Sequence, residues 1–371
     1  MVNMEMKLKT FIAFHSFEIA YLCVLAVLPF IASIKIVATL LITFMVLCGI
    51  VALYRKLSKR CIKVDGQTVV ISGCDTGFGH ALVKRLDHLG FTVVAGCLDD
   101  QSDGANILRE WSQSGRIHVV QLDVTKEESI KNIVKYVEKN CGKKVWALVN
   151  NAAVNFVGDI EFSTMEQFRM IAEVNQFGVI RLTKSFLPAI RNAKGRVINV
   201  TSAKGRICLP SNAVYGATKY AIEAFSDCLR LEMKKFGVNV AIVEPGDFGG
   251  TTGMLSSKTL QWLKNEMDKM WNGASKEVKS SYGQEYFDAI YSGTVEAAKE
   301  AAKSTGVVID AMEDAVTNVS PRIRYLVDGS CKMIDLNNWL IRIRSYIPDV
   351  VLDYILDLKY NKPIPPTQGK A

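Results

Sequence analysis

Tyr215 and Lys219 stand four positions apart in Tyr215-Gly-Ala-Thr-Lys219, and Ser202 lies thirteen residues before the tyrosine. On a helix, side chains at i and i+4 share a face, so the phenol and the ammonium stand together. An alcohol can release hydride only if its hydroxyl proton leaves as well. A free tyrosine, with a pKa of about 10, is an inefficient base at neutral pH. A cation beside it favours the phenolate and lowers that pKa. Ser202 would then hydrogen-bond the substrate oxygen and hold it against Tyr215. Tyrosine–lysine pairs at this spacing are common on exposed helices, so the meaning of this one depends on the elements around it.

Those elements read as alternating strands and helices. Gln67–Ser72 is a short apolar run, as expected of a central parallel strand. It enters Gly73-Cys-Asp-Thr-Gly77-Phe78-Gly79 and then a helical pattern through Ala81, Leu82, Leu86 and Leu89, before a second strand at Phe91–Cys97. Strand, glycine turn, helix and strand is the setting in which backbone approaches a pyrophosphate at a helix N-terminus. Further strands are predicted at Val119–Val124, Val145–Asn150, Arg196–Val200, Val238–Val243 and Arg322–Val327, which makes seven. The pattern predicts an α/β fold with a parallel sheet covered on both faces.

The glycine spacing is G-x-x-x-G-x-G. Asp123, Asn150-Asn151-Ala152-Ala153, Ser202, Tyr215, Lys219 and Glu244-Pro245-Gly246 come after it in order. This constellation resembles the short-chain dehydrogenase/reductase family over roughly residues 65 to 360, with Ala153 in place of a family glycine. The resemblance implies a Rossmann-type, doubly wound, seven-stranded parallel sheet with a helical substrate lid at about 252–305. It implies a nicotinamide cofactor held by Gly73, Asp75, Thr76, Gly77, Phe78, Gly79, Asp123, Val124, Asn151, Ala152, Tyr215, Lys219, Pro245, Gly246, Phe248 and Thr251, with Lys219 on the nicotinamide ribose and Thr252 as an alternative to Thr251. It also implies that Asn175 holds a water linking Lys219 to solvent, and that the chain forms homodimers or homotetramers. The similarity is greatest to the branch holding hydroxybutyrate, hydroxysteroid and retinol dehydrogenases. At the end of the second strand Cys97 carries no charge, but Asp99 and Asp100 come next and no basic residue lies between Gly96 and Gln101. A 2′-phosphate would meet two negative charges, so NAD is expected rather than NADP.

The chain has 371 residues, a formal charge of +8 and 22% charged residues. Nineteen uncharged residues, Ile36 to Tyr54, precede Arg55, Lys56, Lys59, Arg60 and Lys63. The stretch nearly matches a bilayer core of about 30 Å, and the basic flank would keep the domain after it on the cytosolic side. Thr10 to Ile34 is almost as apolar. We therefore expect a membrane anchor over residues 1–63, as one transmembrane helix or a helical hairpin, then a catalytic domain over 64–330 and an amphipathic segment and tail over 331–371. The endoplasmic reticulum is the expected location, with a mitochondrial membrane as the alternative. The basic excess sits beside apolar segments, and no nucleic-acid motif accompanies it. Nine irregularly spaced cysteines read as reduced thiols, and four scattered histidines suggest no metal site.

The expected substrate is a hydrophobic alcohol or ketone, steroid- or retinoid-like. Asn155, Phe156, Val157, Ile207, Leu209, Leu255 and Trp262 are the candidate lining, with Ser202, Tyr215, Asn155 and Leu209 as its contacts. A small hydroxy acid such as 3-hydroxybutyrate is the alternative. Arg206 is the available cation for it, although an arginine there is more often structural. A non-catalytic NAD-binding scaffold is the rival of another class, and the intact Ser202–Tyr215–Lys219 set argues against it. From Asp335 to Tyr360 many apolar residues lie among a few basic ones, which suits either a membrane-surface helix or one packed on the domain or on a partner subunit.

Overall fold

The computed structural model describes residues 15–32, 35–57, 60–331 and 335–360. The chain divides into two units at Arg60 and Cys61. The first unit holds helices α1 (Ser16–Ala32) and α2 (Lys35–Leu57). Apolar side chains along α2 face outward, among them Leu40, Ile42, Phe44, Met45 and Ile50. Among the described residues no helix is long and apolar enough to cross a membrane. The side chains at both ends of the 36–54 stretch lie outside those described.

The second unit is one parallel sheet wrapped by helices. Its strands are β1 (Thr68–Ser72), β2 (Thr92–Cys97), β3 (Ile117–Gln121), β4 (Ala147–Asn150), β5 (Arg196–Val200), β6 (Asn239–Pro245) and β7 (Arg324–Val327). They lie in the order β3-β2-β1-β4-β5-β6-β7, all pairs parallel. The order reverses between β1 and β4, and a crevice opens at such a switch point beyond the carboxyl ends of the strands. The expected seven-stranded, doubly wound sheet is present. β3 ends two residues before Asp123, so that acid sits in the loop and not on the strand.

The strand sequences explain the layering. Val69, Ile71, Val93, Ala95, Ala147, Val149, Ile198 and Val243 face one cluster. It is completed by α3 (Gly77–His88), α4 (Asp103–Trp111) and α12 (Gly306–Thr317). The alternate residues Val70, Val94, Leu148, Val197 and Val240 face the opposite cluster. It is covered by α5 (Glu127–Asn140), α7 (Val179–Ala193) and α8 (Ala213–Met233). Both faces are therefore apolar, as buried parallel strands require. Before α7, the helix α6 (Met165–Ala172) passes into a six-residue π-helical segment, Glu173–Gly178, that contains Asn175.

Three further helices, α9 (Ser257–Gly273), α10 (Lys276–Tyr282) and α11 (Gln284–Glu300), occupy the segment expected to form a lid. They close a separate core in which Leu263, Met267, Met270 and Phe287 meet Phe156, Phe162, Ile171 and Val214. Asp159 latches this layer, accepting from Ser211 Oγ at 2.5 Å and from Tyr286 OH at 2.8 Å. The C-terminal helices α13 (Leu336–Ile343) and α14 (Asp349–Tyr360) pack on the domain through Leu340, Ile341, Leu352 and Leu356. Their partners, Ala203 and Ile207, lie just after Ser202. Of the two readings of this segment, packing on the domain accounts for its buried face.

A charged knot ties β5, β6, β7 and α8 together. Arg324 reaches Glu223, Glu244 at 2.8 Å and Asp227 at 2.7 Å. Glu223 also accepts from Thr201 Oγ1 at 2.5 Å. Both glutamates are buried, and burial with the repulsion of Glu244 pushes the Glu223 carboxyl up to about 7, against the pull of Thr201 and Arg324. Arg324→Met would leave two buried carboxylates without their shared cation. We expect it to lower unfolding stability by about 3 kcal/mol in urea titration, with partial recovery in the Arg324→Met, Glu223→Gln double variant. A loss below about 0.5 kcal/mol would show the knot to be no stronger than a surface pair.

Candidate active site

Three chain segments meet at the carboxyl edge of the sheet. β5 delivers Ser202, β6 delivers Pro245 and Gly246, and the first turns of α8 deliver Tyr215 and Lys219. A buried polar chain fixes α8 against the sheet. Asn150 Nδ2 donates to Asn199 Oδ1 at 2.8 Å, Asn199 Nδ2 donates to Ser226 Oγ at 2.7 Å, and Ser226 donates to Ile222 O at 2.6 Å.

Ser202, Tyr215 and Lys219 are all buried. The Ser202 hydroxyl neighbours the Tyr215 phenol and acts to lower its pKa. The serine also donates to Pro245 O at 3.3 Å and accepts from Lys204 N at 3.2 Å. Lys219 Nζ donates to Val200 O at 3.1 Å and lies 5.5 Å from the centre of the Tyr215 ring. Burial lowers the Lys219 ammonium to about 8, against the upward pull of Glu223. Burial pushes the Tyr215 phenol well above its ordinary value, the Ser202 hydroxyl pulls it back, and Asp247 adds to the rise. The lowering expected from the sequence is thus outweighed by burial. The lysine is turned to a backbone carbonyl, and desolvation outweighs its attraction for the phenolate.

Asn175 is almost wholly buried, and its carboxamide binds the loop after β4 at both ends. Its Oδ1 accepts from Val154 N at 2.8 Å, and its Nδ2 donates to Val154 O at 2.9 Å and to Thr218 Oγ1 at 3.3 Å. Thr218 donates in turn to Tyr215 O at 2.7 Å. Asn175 therefore fixes the distance between the β4 loop and the catalytic helix. The neighbouring Asn155 carries a buried Oδ1 with no partner among the described residues.

The glycine turn is packed by its own neighbours. Gly73 has φ of +71°, and a Cβ there would come within 2.7 Å of Ala152 Cα. A Cβ on Gly79 would come within 2.7 Å of Asn151 Nδ2. Asn151 Nδ2 donates to Ser72 O at 3.0 Å and Gly73 O at 2.9 Å, and the backbone N–H groups of Asn151 and Ala152 both donate to Ser72 Oγ. These residues let the ends of β1 and β4 touch. Thr76 makes no side-chain capping bond and the first turn of α3 holds no acid. The donor end of that helix is free of a protein carboxylate, as a bound pyrophosphate requires, so these residues fit a dinucleotide.

Other residues of the expected site also have partners within the protein. Both oxygens of Asp75 accept backbone N–H groups, from Leu98 at 3.0 Å and Asp99 at 3.1 Å, so Asp75 holds the loop after β2 against the glycine turn. Asp99 Oδ1 accepts from Gln101 N at 2.9 Å. Asp123 Oδ1 accepts from Thr125 N and Oγ1, and Val124 is buried against Gly178. Phe248 is buried edge-on to Phe78, with centroids 5.6 Å apart. Thr251 Oγ1 donates to Phe248 O, whereas Thr252 lies over Gly77, its Cβ 3.3 Å from where a Cβ on that glycine would stand. Leu209 packs in the cluster with α13 and α14, and the side chain of Leu255 lies outside those described. Arg206 pairs with buried Glu244 at 3.0 Å, so it is a structural cation. Sequence reasoning missed Lys204, whose Nζ lies 5.9 Å from the Tyr215 ring centre, and Arg109, 3.7 Å from Asp100.

The position of Thr252 over the glycine turn gives a discriminating test. Thr252→Ala is expected to weaken dinucleotide binding about tenfold, the loss of one hydrogen bond to a charged group, while Thr251→Ala leaves the calorimetric Kd near wild type. The reverse order would place the contact on Thr251.

Comparison with known proteins shows the family. A family model described as short chain dehydrogenase matches residues 67–261. Mitochondrial D-beta-hydroxybutyrate dehydrogenase of Mus musculus is 37% identical over 306 residues, covering 81% of this chain and 87% of that protein. The 17-beta-hydroxysteroid dehydrogenase type 6 of Homo sapiens is 40% identical over 298 residues, covering 80% and 89%. Retinol dehydrogenase 7 of Mus musculus is 36% identical over 320 residues, covering 85% and 96%. A solved short-chain dehydrogenase from Streptomyces avermitilis shares the fold with a TM-score of 0.61 at 24% identity, covering 80% of this chain and 97% of that one. With a matching family model over the catalytic core and relatives that cover most of its length, the chain belongs to the short-chain dehydrogenases, oxidoreductases that act on alcohols.

Proposed function

We propose that this enzyme is a membrane-attached, NAD(H)-dependent oxidoreductase that interconverts a hydroxyl and a carbonyl on a substrate with a hydrophobic body. The observation that carries the reading is the burial of Ser202, Tyr215 and Lys219 at the carboxyl edge of the sheet, the edge at which β1 runs into the glycine turn. Bound NAD supplies hydride exchange, and the chain's own residues handle the proton. Ser202 and Tyr215 hold the substrate oxygen, and Tyr215 takes its proton during oxidation or returns it during reduction. Lys219 becomes the counter-charge of the phenolate and a ligand of the nicotinamide ribose. Asn175 keeps the β4 loop in register with this pair through Val154 and Thr218, and supports the proton path from Lys219.

Asp99 and Asp100 favour NAD over NADP, although Arg109 partly offsets Asp100. The substrates named by the relatives, a hydroxybutyrate, a hydroxysteroid and a retinol, all carry a hydroxyl, and in the hydroxysteroid and the retinol it stands on an apolar body. The outward apolar side chains of α2 and the basic residues after it support attachment to a membrane with the catalytic unit on the cytosolic side.

Two outcomes check this reading. Tyr215→Phe should lower kcat by roughly 10²- to 10⁴-fold while NAD still binds, measured by NADH absorbance and calorimetry. Unchanged turnover would remove Tyr215 from the chemistry, and loss of NAD binding would make it a structural residue. Full-length protein should stay with membranes through alkaline extraction, and its quantitative release would contradict attachment through residues 1–63.

A further inference from the structure

Lys204 lies two residues after Ser202 in a short 3-10 turn, Ala203–Gly205. Its backbone N–H caps the Ser202 hydroxyl, and its side chain runs back over the catalytic tyrosine, with Nζ 5.9 Å from the ring centre. Tyr215 therefore stands near two ammonium groups, since Lys219 approaches the same ring at 5.5 Å. The two cations differ in what holds them. Lys219 is buried on the Val200 carbonyl. Lys204 is half-buried and donates to Asn212 Oδ1 at 2.7 Å. Asn212 is itself oriented, its Nδ2 donating to Pro210 O at 2.9 Å.

An ammonium has three donors, and one neutral acceptor is a thin complement for a desolvated charge. Among the described residues Lys204 forms no ion pair, in contrast to Arg206 two positions on, which is matched by Glu244. The acid that acts on Lys204 from a distance is Asp247, which is exposed and accepts from Gly249 N at 3.1 Å. A cation of this kind beside the catalytic hydroxyls is suited to an anion brought by the substrate.

We propose that Lys204 is a substrate-anion site, and that the substrate is a hydroxy or oxo acid whose carboxylate sits near its carbinol carbon. The inference rests on the acid–base reading of Tyr215 and Lys219, because the phenol fixes where the carbinol lies. The carboxylate accepts hydrogen bonds from Lys204 Nζ, with the Asn212 carboxamide steadying the ammonium. The carbinol is thereby turned toward Ser202 and Tyr215. The apolar remainder of the substrate extends away from this polar corner.

The test uses full-length protein in detergent with NAD present, as wild type, Lys204→Met and Lys204→Arg. Butanoate and butanamide are titrated calorimetrically, so that the binding measurement needs no turnover. Wild type is expected to bind butanoate at least about tenfold more tightly than butanamide, a preference that Lys204→Met abolishes and Lys204→Arg largely restores. An equal preference in wild type and Lys204→Met overturns the inference. In parallel, NADH formation is measured with 3-hydroxybutanoate and its methyl ester. The acid-to-ester ratio of kcat/KM should fall about tenfold in Lys204→Met, mainly through KM, and an unchanged ratio again overturns the inference. If butanoate binds as expected while neither compound is oxidised, the anion site stands and the acid–base reading of Tyr215 fails.

Discussion

One constraint organises the second unit: a lysine ammonium is kept in a nearly water-free place beside a tyrosine. Burying a cation is costly unless donors and charges around it are arranged in advance. Here the arrangement starts with a backbone carbonyl at the end of a central strand. Lys219 meets Val200 O, and the next two residues of that chain, Thr201 and Ser202, face Glu223 and the phenol. The charge and the hydroxyl that must cooperate are thus mounted on one strand end and one helix. Glu223, one turn beyond Lys219, pulls the ammonium toward its charged form, and Arg324 keeps Glu223 in place. The remote knot and the reacting groups form one electrostatic unit.

The site's resting balance comes from this burial. Burial favours the protonated tyrosine and disfavours the lysine ammonium. The family's chemistry needs the opposite balance, with the phenolate accessible during alcohol oxidation. Cofactor and substrate have to shift it by bringing new charges and dipoles next to the pair. The C-terminal helices belong to the same logic. They pack on Ala203 and Ile207, so the serine loop is braced from behind by the last helices of the chain.

Much of this is legible in the sequence where the physics is local. Arg196–Val200 folds as the strand it reads as, because a short, fully buried run carrying β-branched Val197, Ile198 and Val200 has few alternatives. The glycine turn and the i, i+4 tyrosine–lysine pair are likewise written in short spans. Long-range pairings are not legible. Arg324 finds Glu223 and Glu244 across β7, α8 and β6, and nothing in spacing links three residues so far apart. Arg206, a candidate substrate cation by sequence, is neutralised by Glu244, while Lys204 gives no sequence signal because a 3-10 turn, and not the strand period, decides where it points. The paired glycines Gly249 and Gly250 leave the threonine register open. The direction of the tyrosine's pKa shift is hidden as well, because proximity of a cation is readable in a sequence and desolvation is not.

The central claim is a coincidence in space: the amine of Lys219, the phenol of Tyr215 and the nicotinamide ribose of a bound NAD. A crystal structure of the full chain with NAD measures it directly. The account predicts Lys219 Nζ and Tyr215 OH within hydrogen-bond distance of the nicotinamide ribose hydroxyls, with the pyrophosphate at the start of α3. A dinucleotide bound with its nicotinamide away from both side chains would contradict it.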